Sequence, residues 1–175
     1  MKILDARDLE QMVDEYGPQV YRFCLKLSRR KPDAEDLYQQ TFLKILEQSM
    51  EIRRDWNPQS FLFSIAYGIW RNEQRKHLRH SAEPSELLLS EAAADNTEEE
   101  ALVRLEAAEI RKAVEQLPPK YRIPLILQYT FEMPLEEIGK IEKIPLGTVK
   151  SRLHQAKALI KKEMEANGYG KANWK

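Results

Sequence analysis

The chain has 175 residues, enough for one medium domain or two small helical ones, and its 28 Lys plus Arg are balanced by 28 Asp plus Glu. Net charge alone therefore points to no polyanionic partner. The single cysteine, Cys24, excludes an internal disulfide and fits a reducing compartment.

The opening MKILDARDLE has no apolar h-region, and no apolar run approaches the ~18 residues of a membrane span. The expectation is a soluble, cytoplasmic protein with no membrane insertion. A first helix is predicted from about Ala6 to Tyr16 and a second from Pro18 to Ser28. Pro18 suits a first helical turn, and Val20, Phe23, Cys24 and Leu27 form an apolar stripe. Cys24 on that stripe reads as a small buried residue. A third helix is capped by Asp33, with Asp36 near its positive end, and buries Ala34, Leu37, Tyr38, Thr41, Phe42, Ile45 and Leu46. The polar stretch Glu51 to Gln59 reads as a loop before a fourth helix, Ser60 to His80, greasy in its first half and basic in its second.

Ser81 to Thr97 lacks a sustained stripe and reads as a linker, at least partly disordered, in which only Leu87-Leu88-Leu89 offers an apolar contact. A helix follows from Glu98 to Leu117, stopped by Pro118-Pro119. Three more run over Tyr121–Phe131, Pro134–Glu142 and Thr148 to about Ala166, and the tail from Asn167 is expected to be loose. The fold class is all-α: two small helical domains joined by an acidic flexible linker. The domain reading is 1–80, a linker and helix start over 81–108, 109–168, and a tail over 169–175.

Charge is segregated along this plan. Arg71 to His80 carries four basic residues, two His and one acid. Ser81 to Glu109 carries nine acids and one Arg, and Thr148 to Lys162 five basic residues and no acid. Such alternation is expected when separate stretches face phosphates and the middle stays off them.

The last two helices have a helix-turn-helix layout. Leu135, Ile138 and Ile141 face inward, Ile144-Pro145-Leu146-Gly147 turns, and Thr148 caps the next helix. In that helix Val149, Leu153, Ala156 and Ile160 form the apolar stripe, and Ser151, His154 and Gln155 lie opposite at about 100° per residue. Lys150 and Lys157 flank one side and Arg152 the other. An apolar back, a hydrogen-bonding front and basic shoulders suit a helix that reads base edges and grips phosphates. An ordinary amphipathic hairpin with a solvated basic face is the alternative reading of this helix taken alone.

These residues carry a family resemblance. Gln116-Leu117-Pro118-Pro119-Lys120-Tyr121-Arg122, Leu135-Glu136-Glu137-Ile138 and Ile144-Pro145-Leu146-Gly147-Thr148-Val149-Lys150-Ser151-Arg152-Leu153 resemble domain four of the extracytoplasmic-function (ECF) sigma factors of bacterial RNA polymerase. Independently, Asp33-Ala34-Glu35-Asp36-Leu37-Tyr38-Gln39-Gln40-Thr41-Phe42 and Phe61-Leu62-Phe63-Ser64-Ile65-Ala66 resemble domain two of the same family. The blocks occur in the family's order and cover nearly the whole chain outside the acidic linker.

The resemblance implies a non-enzymatic specificity subunit that binds core RNA polymerase (β′ clamp helices and β flap) and promoter DNA, with an anti-sigma factor as regulator. It places Asp36, Gln39 and Gln40 at the clamp; the family usually has Glu where Gln40 stands. Asp36 and Gln40 share an exposed helix face, although Asp36 alone reads equally as a helix-dipole residue. Glu51 to Gln59 corresponds to the loop that captures a flipped −10 base, where Trp56 and Asn57 supply stacking and hydrogen bonds. Trp56 reads equally as a plug for the loop. Gly68 stands where the family often has Asn, and Asn72, Arg75, Lys76 and Arg79 would follow DNA near the start of melting. Thr148, Lys150, Ser151, Arg152, His154, Gln155 and Lys157 would contact the −35 duplex.

No cofactor, metal or catalytic site is expected. His77 and His80 lack further ligands at metal spacing, and no phosphate loop or Ser/His/Asp arrangement is visible. A stand-alone helix-turn-helix regulator is the competing function, but it would leave the Asp33–Phe42 block without a role.

Overall fold

Long amphipathic stretches with few interior glycines fold as helices, and in the computed structural model, which describes residues 2–78 and 97–169, every long element is one. The chain divides into two compact units, the first holding the N-terminal helices together with Gly139–Lys143 and the second the remaining C-terminal segments.

The first unit packs α1 (Ala6–Ser28), α2 (Lys31–Glu47) and α3 (Pro58–His77) against one another. Its core centres on a parallel stack of Phe23 and Phe63, centroids 4.4 Å apart, with Val20, Leu37, Ile45 and Leu62 fully buried. The two helices expected over 6–28 are one. Leu9, Met12, Gly17, Val20, Phe23, Cys24 and Leu27 are buried along a single face that continues through Pro18. Pro18 itself is exposed, opposite that face. The carbonyl it strands one turn back thus faces water, and packing on both sides of the proline holds the helix together.

Asp33 is not the cap of α2, which starts at Lys31 with Pro32 in its first turn and Arg30 as an N-cap without a side-chain bond. Proline tolerates that position because the N–H it lacks has no helical acceptor there. Asp33 instead sits inside the first turn, 3.8 Å from Arg30. Leu46, expected inside, is 48% exposed, and Tyr38 is half-buried.

The stretch before α3 is not all loop. Glu51–Ile52 (β2) pairs antiparallel with Lys2–Ile3 (β1), in register Lys2↔Ile52 and Ile3↔Glu51. α3 also begins earlier than expected, at Pro58, because the Asn57 Oδ1 accepts the Gln59 N–H at 2.9 Å and the Ser60 N–H at 3.4 Å.

In the second unit α4 (Glu98–Gln116) opens on a capping box between Thr97 and Glu100 and packs against α7 (Leu146–Ala166), as does α5 (Pro119–Tyr129). α5 starts and ends two residues before expectation, because Pro118, in extended conformation, lends its carbonyl to the Tyr121 and Arg122 N–H groups. α6 (Leu135–Glu142) comes next in chain order, with only its residues up to Ile138 in this unit. α7 closes on the left-handed Gly168: Gly168 and Tyr169 donate to the Glu165 and Met164 carbonyls. Residues 167–169 are therefore an ordered helix cap where a loose tail was expected. The expected linker, apart from Thr97, the Arg79 and His80 positions and the rest of the tail lie outside the described residues. Among the described residues, no helix is long and apolar enough to cross a membrane and no group of three His, Cys, Asp or Glu is placed to hold a metal ion.

Candidate functional site

The first surface belongs to α7. Val149, Leu153, Ala156, Ile160 and Met164 are buried, extending the expected stripe by one turn. Lys150, Ser151, His154 and Gln155 are exposed, while Thr148, Arg152 and Lys157 are half-buried on the flanks. Thr148 does not cap the helix. Pro145 takes that place, its carbonyl accepting the Thr148 and Val149 N–H groups at 3.0 and 3.1 Å, so α7 begins two residues earlier, at Leu146. The turn from α6 uses Lys143 in left-handed conformation (φ 56°), and Ile138 and Ile141 of α6 are buried while Leu135 is half-buried.

The helical pattern did not reveal one neighbour of this surface. Tyr129, at the end of α5 and 56% exposed, lies with its ring under the Lys157 ammonium, 5.4 Å from centroid to Nζ. The two residues are 28 positions apart, so no local periodicity could have paired them.

The second surface is the outward face of α2. Asp36 and Gln39 are exposed, Gln40 is half-buried, and the Gln40 Nε2 donates to the Asp36 Oδ2 at 2.9 Å. Leu43, 50% exposed, falls on the same face at the i, i+4, i+7 spacing that links Asp36, Gln40 and Leu43, with Leu46 at its margin. An amide–carboxylate pair followed by uncovered leucines has the composition of a protein-docking face. The leucines were missed because Leu46 read as part of the buried stripe and Leu43 as an ordinary helix residue.

The third surface runs from the β2–α3 loop along α3. Trp56 is half-buried, packed edge-to-face on Phe61 at 5.5 Å, and its backbone N–H closes a turn onto the Arg53 carbonyl at 3.0 Å. Arg53 holds Asp55 through two bonds of 3.2 and 3.0 Å, which keeps the exposed Asp55 carboxyl below its usual range. The Asn57 carbonyl oxygen is engaged in the α3 cap, leaving its NH2 as the free end. Gly68, Asn72 and Arg75 follow at 4, 3 spacing on one face of α3, with Lys76 beside them. Asn72, Arg75 and Lys76 are exposed, and a Cβ at Gly68 would meet nothing within 4 Å.

Both units match patterns of one family. Sigma-70 region 2 matches residues 12–80 and Sigma-70 region 4 residues 107–160. The ECF RNA polymerase sigma factor SigW of Bacillus subtilis is 30% identical over 171 residues, covering 91% of this chain and 90% of that protein. The chain belongs to the ECF group of RNA polymerase sigma factors. The RNA polymerase sigma-H factor of Pseudomonas aeruginosa is 25% identical over 170 residues, covering 92% and 88%. The fold of this sigma factor is similar to that of the sigma factor RpoE solved with the anti-sigma factor NepR from Bartonella quintana, at TM-score 0.74 and 21% identity, covering 93% and 99%. It is also similar to CnrH, solved with the cytosolic domain of CnrY, at TM-score 0.63 and 18% identity, covering 93% and 91%. As a sigma factor, the protein directs promoter-specific transcription initiation by RNA polymerase. Its region 2 comprises the α1–α3 bundle with the α2 and loop–α3 surfaces, and its region 4 carries the α7 surface.

Proposed function

We propose that the three surfaces divide initiation between them: α2 docks on the polymerase clamp, the β2–α3 loop and α3 take the −10 element as melted strand, and α7 reads the −35 element as duplex. The observation that carries this reading is the α7 side-chain distribution. A buried back, the exposed Ser151, His154 and Gln155 in front, and Lys150, Lys157 and Arg152 on the flanks match the split between base edges and phosphates. Functional domains over 1–80 and 109–168, with the acidic 81–108 stretch between them, accord with this division. The protein acts in the cytoplasm by binding, with no chemistry of its own. Its regulator is an anti-sigma factor, by analogy with the partner of RpoE in its solved complex.

The test is reconstitution with core polymerase followed by run-off transcription over a genomic promoter library, which maps both elements. Substituting Gly68 by Asn, whose Cβ would meet nothing within 4 Å, should alter preference within the −10 element and leave the −35 preference alone. A chain that binds palindromic duplex as a dimer and adds nothing to core polymerase would overturn the reading in favour of a stand-alone regulator.

A further inference from the structure

The N-terminal strand has no place in the reading above, and residues 2–4 precede the Sigma-70 region 2 match, which begins at residue 12. The β2–α3 loop is short and fixed at both ends. At its far end Asn57 caps α3, and the Gln59 side-chain amide donates to Gln19 on α1. At its near end β2 pairs with β1, its only strand partner among the described residues. The ladder runs one step beyond the strand pairs, with the Leu4 N–H donating to the Met50 carbonyl at 3.1 Å and Leu4 buried. β1 is itself tied down. Asp5 and Asp8 form the capping box of α1 immediately after it, and the Lys2 ammonium bonds the Asp8 carboxylate, holding that carboxyl below its usual range. Residues 2–8 thus link the rigid start of α1 to the near end of the loop that carries Trp56.

We propose that β1 is a positioning element for the −10 loop: it holds β2, and through it Arg53 to Asn57, in the geometry that receives an unstacked base. The proposal rests on the loop being the −10 reader. A two-stranded ladder of this size is marginal alone, so without β1 the near end of the loop would have to be ordered on each binding event.

The Leu4–Met50 bond makes that pair a hydrogen-bonded one, so the neighbouring Ile3↔Glu51 pair is non-hydrogen-bonded, with its Cβ atoms close, and both residues are exposed. This gives a deletion and a lock. The probe is the non-template strand of a mapped promoter, titrated into holoenzyme. Deleting Lys2 and Ile3, which keeps Leu4 and the Asp5 cap, should weaken its binding by at least about fivefold, the factor for ordering one further residue. Affinity for core polymerase and for −35 duplex should stay within about twofold, which a general loss of stability would not permit. The oxidised pair Ile3→Cys with Glu51→Cys should bind the strand at least as tightly as the unmodified chain. Trp56→Ala separates the two ideas. If Trp56→Ala weakens the strand and the deletion does not, the positioning role is wrong. If neither does, the loop is not the −10 reader. If the oxidised lock weakens binding, the loop must leave β1 to capture the base, and the proposal is overturned.

Discussion

Lys157→Ala should isolate the electrostatic share of the −35 recognition proposed for α7. Lys157 sits on the flank of α7, half-buried, its ammonium held over the Tyr129 ring, whereas Gln155 is exposed on the front. One phosphate contact contributes about 0.9 to the slope of log K against log salt. If the contact is worth nothing at 1 M salt, its loss weakens binding about 15-fold at 0.05 M, eightfold at 0.1 M and fourfold at 0.2 M. These factors should be the same for every −35 variant. Gln155→Ala should leave the slope alone and relax discrimination at one or two base pairs, by roughly 1–3 kcal/mol. Tyr129→Leu removes a cation–π contact worth about 0.5–1 kcal/mol at exposed sites and should act like a weak Lys157→Ala, with Tyr129→Phe near wild type. The assay is holoenzyme binding to a −35 mutant library at two salt concentrations. A Lys157→Ala deficit independent of salt refutes the phosphate contact. A Lys157→Ala shift in sequence preference, with Gln155→Ala acting uniformly, means that the base-reading face of α7 is centred elsewhere.

Asp36→Arg with Gln40→Arg should lower affinity for core polymerase at least about tenfold while changing stability by no more than ~0.5 kcal/mol, since the face is outside the core; pull-down and melting curves check both. Gly17→Ala would ordinarily favour a helix by about 0.5–1 kcal/mol, but its Cβ would lie 2.9 Å from the Tyr38 Oη, so the substitution should destabilise. In a Tyr38→Phe background that oxygen is gone and the same substitution should stabilise, a change of sign that denaturant titration resolves. Burial raises the Cys24 thiol from 9.0 to about 12. The thiol should therefore resist alkylation at pH 8 until the chain unfolds. Because the unfolded chain releases this proton near pH 9 and the folded chain holds it to about 12, the thiol's contribution to stability should fall as pH rises through that window. Urea midpoints of wild type and Cys24→Ala across the window test the sign.

The apolar stripe of α7, Val149 to Ile160, was legible in the sequence because helical periodicity is local: side chains three and four apart share a face whatever the rest of the chain does. The same logic placed Asp36 and Gln40 together, and the ordered family motifs supplied the functions that periodicity cannot. Helix starts were misplaced for a different reason. At Asp33 and Thr148 a good capping residue stood where a cap was plausible, but the carbonyls of Arg30 and Pro145, just upstream, already accepted the first helical N–H groups. Only the tertiary structure decided the remainder. Pro18 continues α1 because both neighbouring turns pack on one core face. Leu43 and Leu46 lie uncovered, since exposure depends on which helices are neighbours and not on hydrophobicity. β1 meets β2 across 47 intervening residues, and Tyr129 meets Lys157 across 27. Contacts of that range depend on chain closure and packing, which no window of sequence encodes.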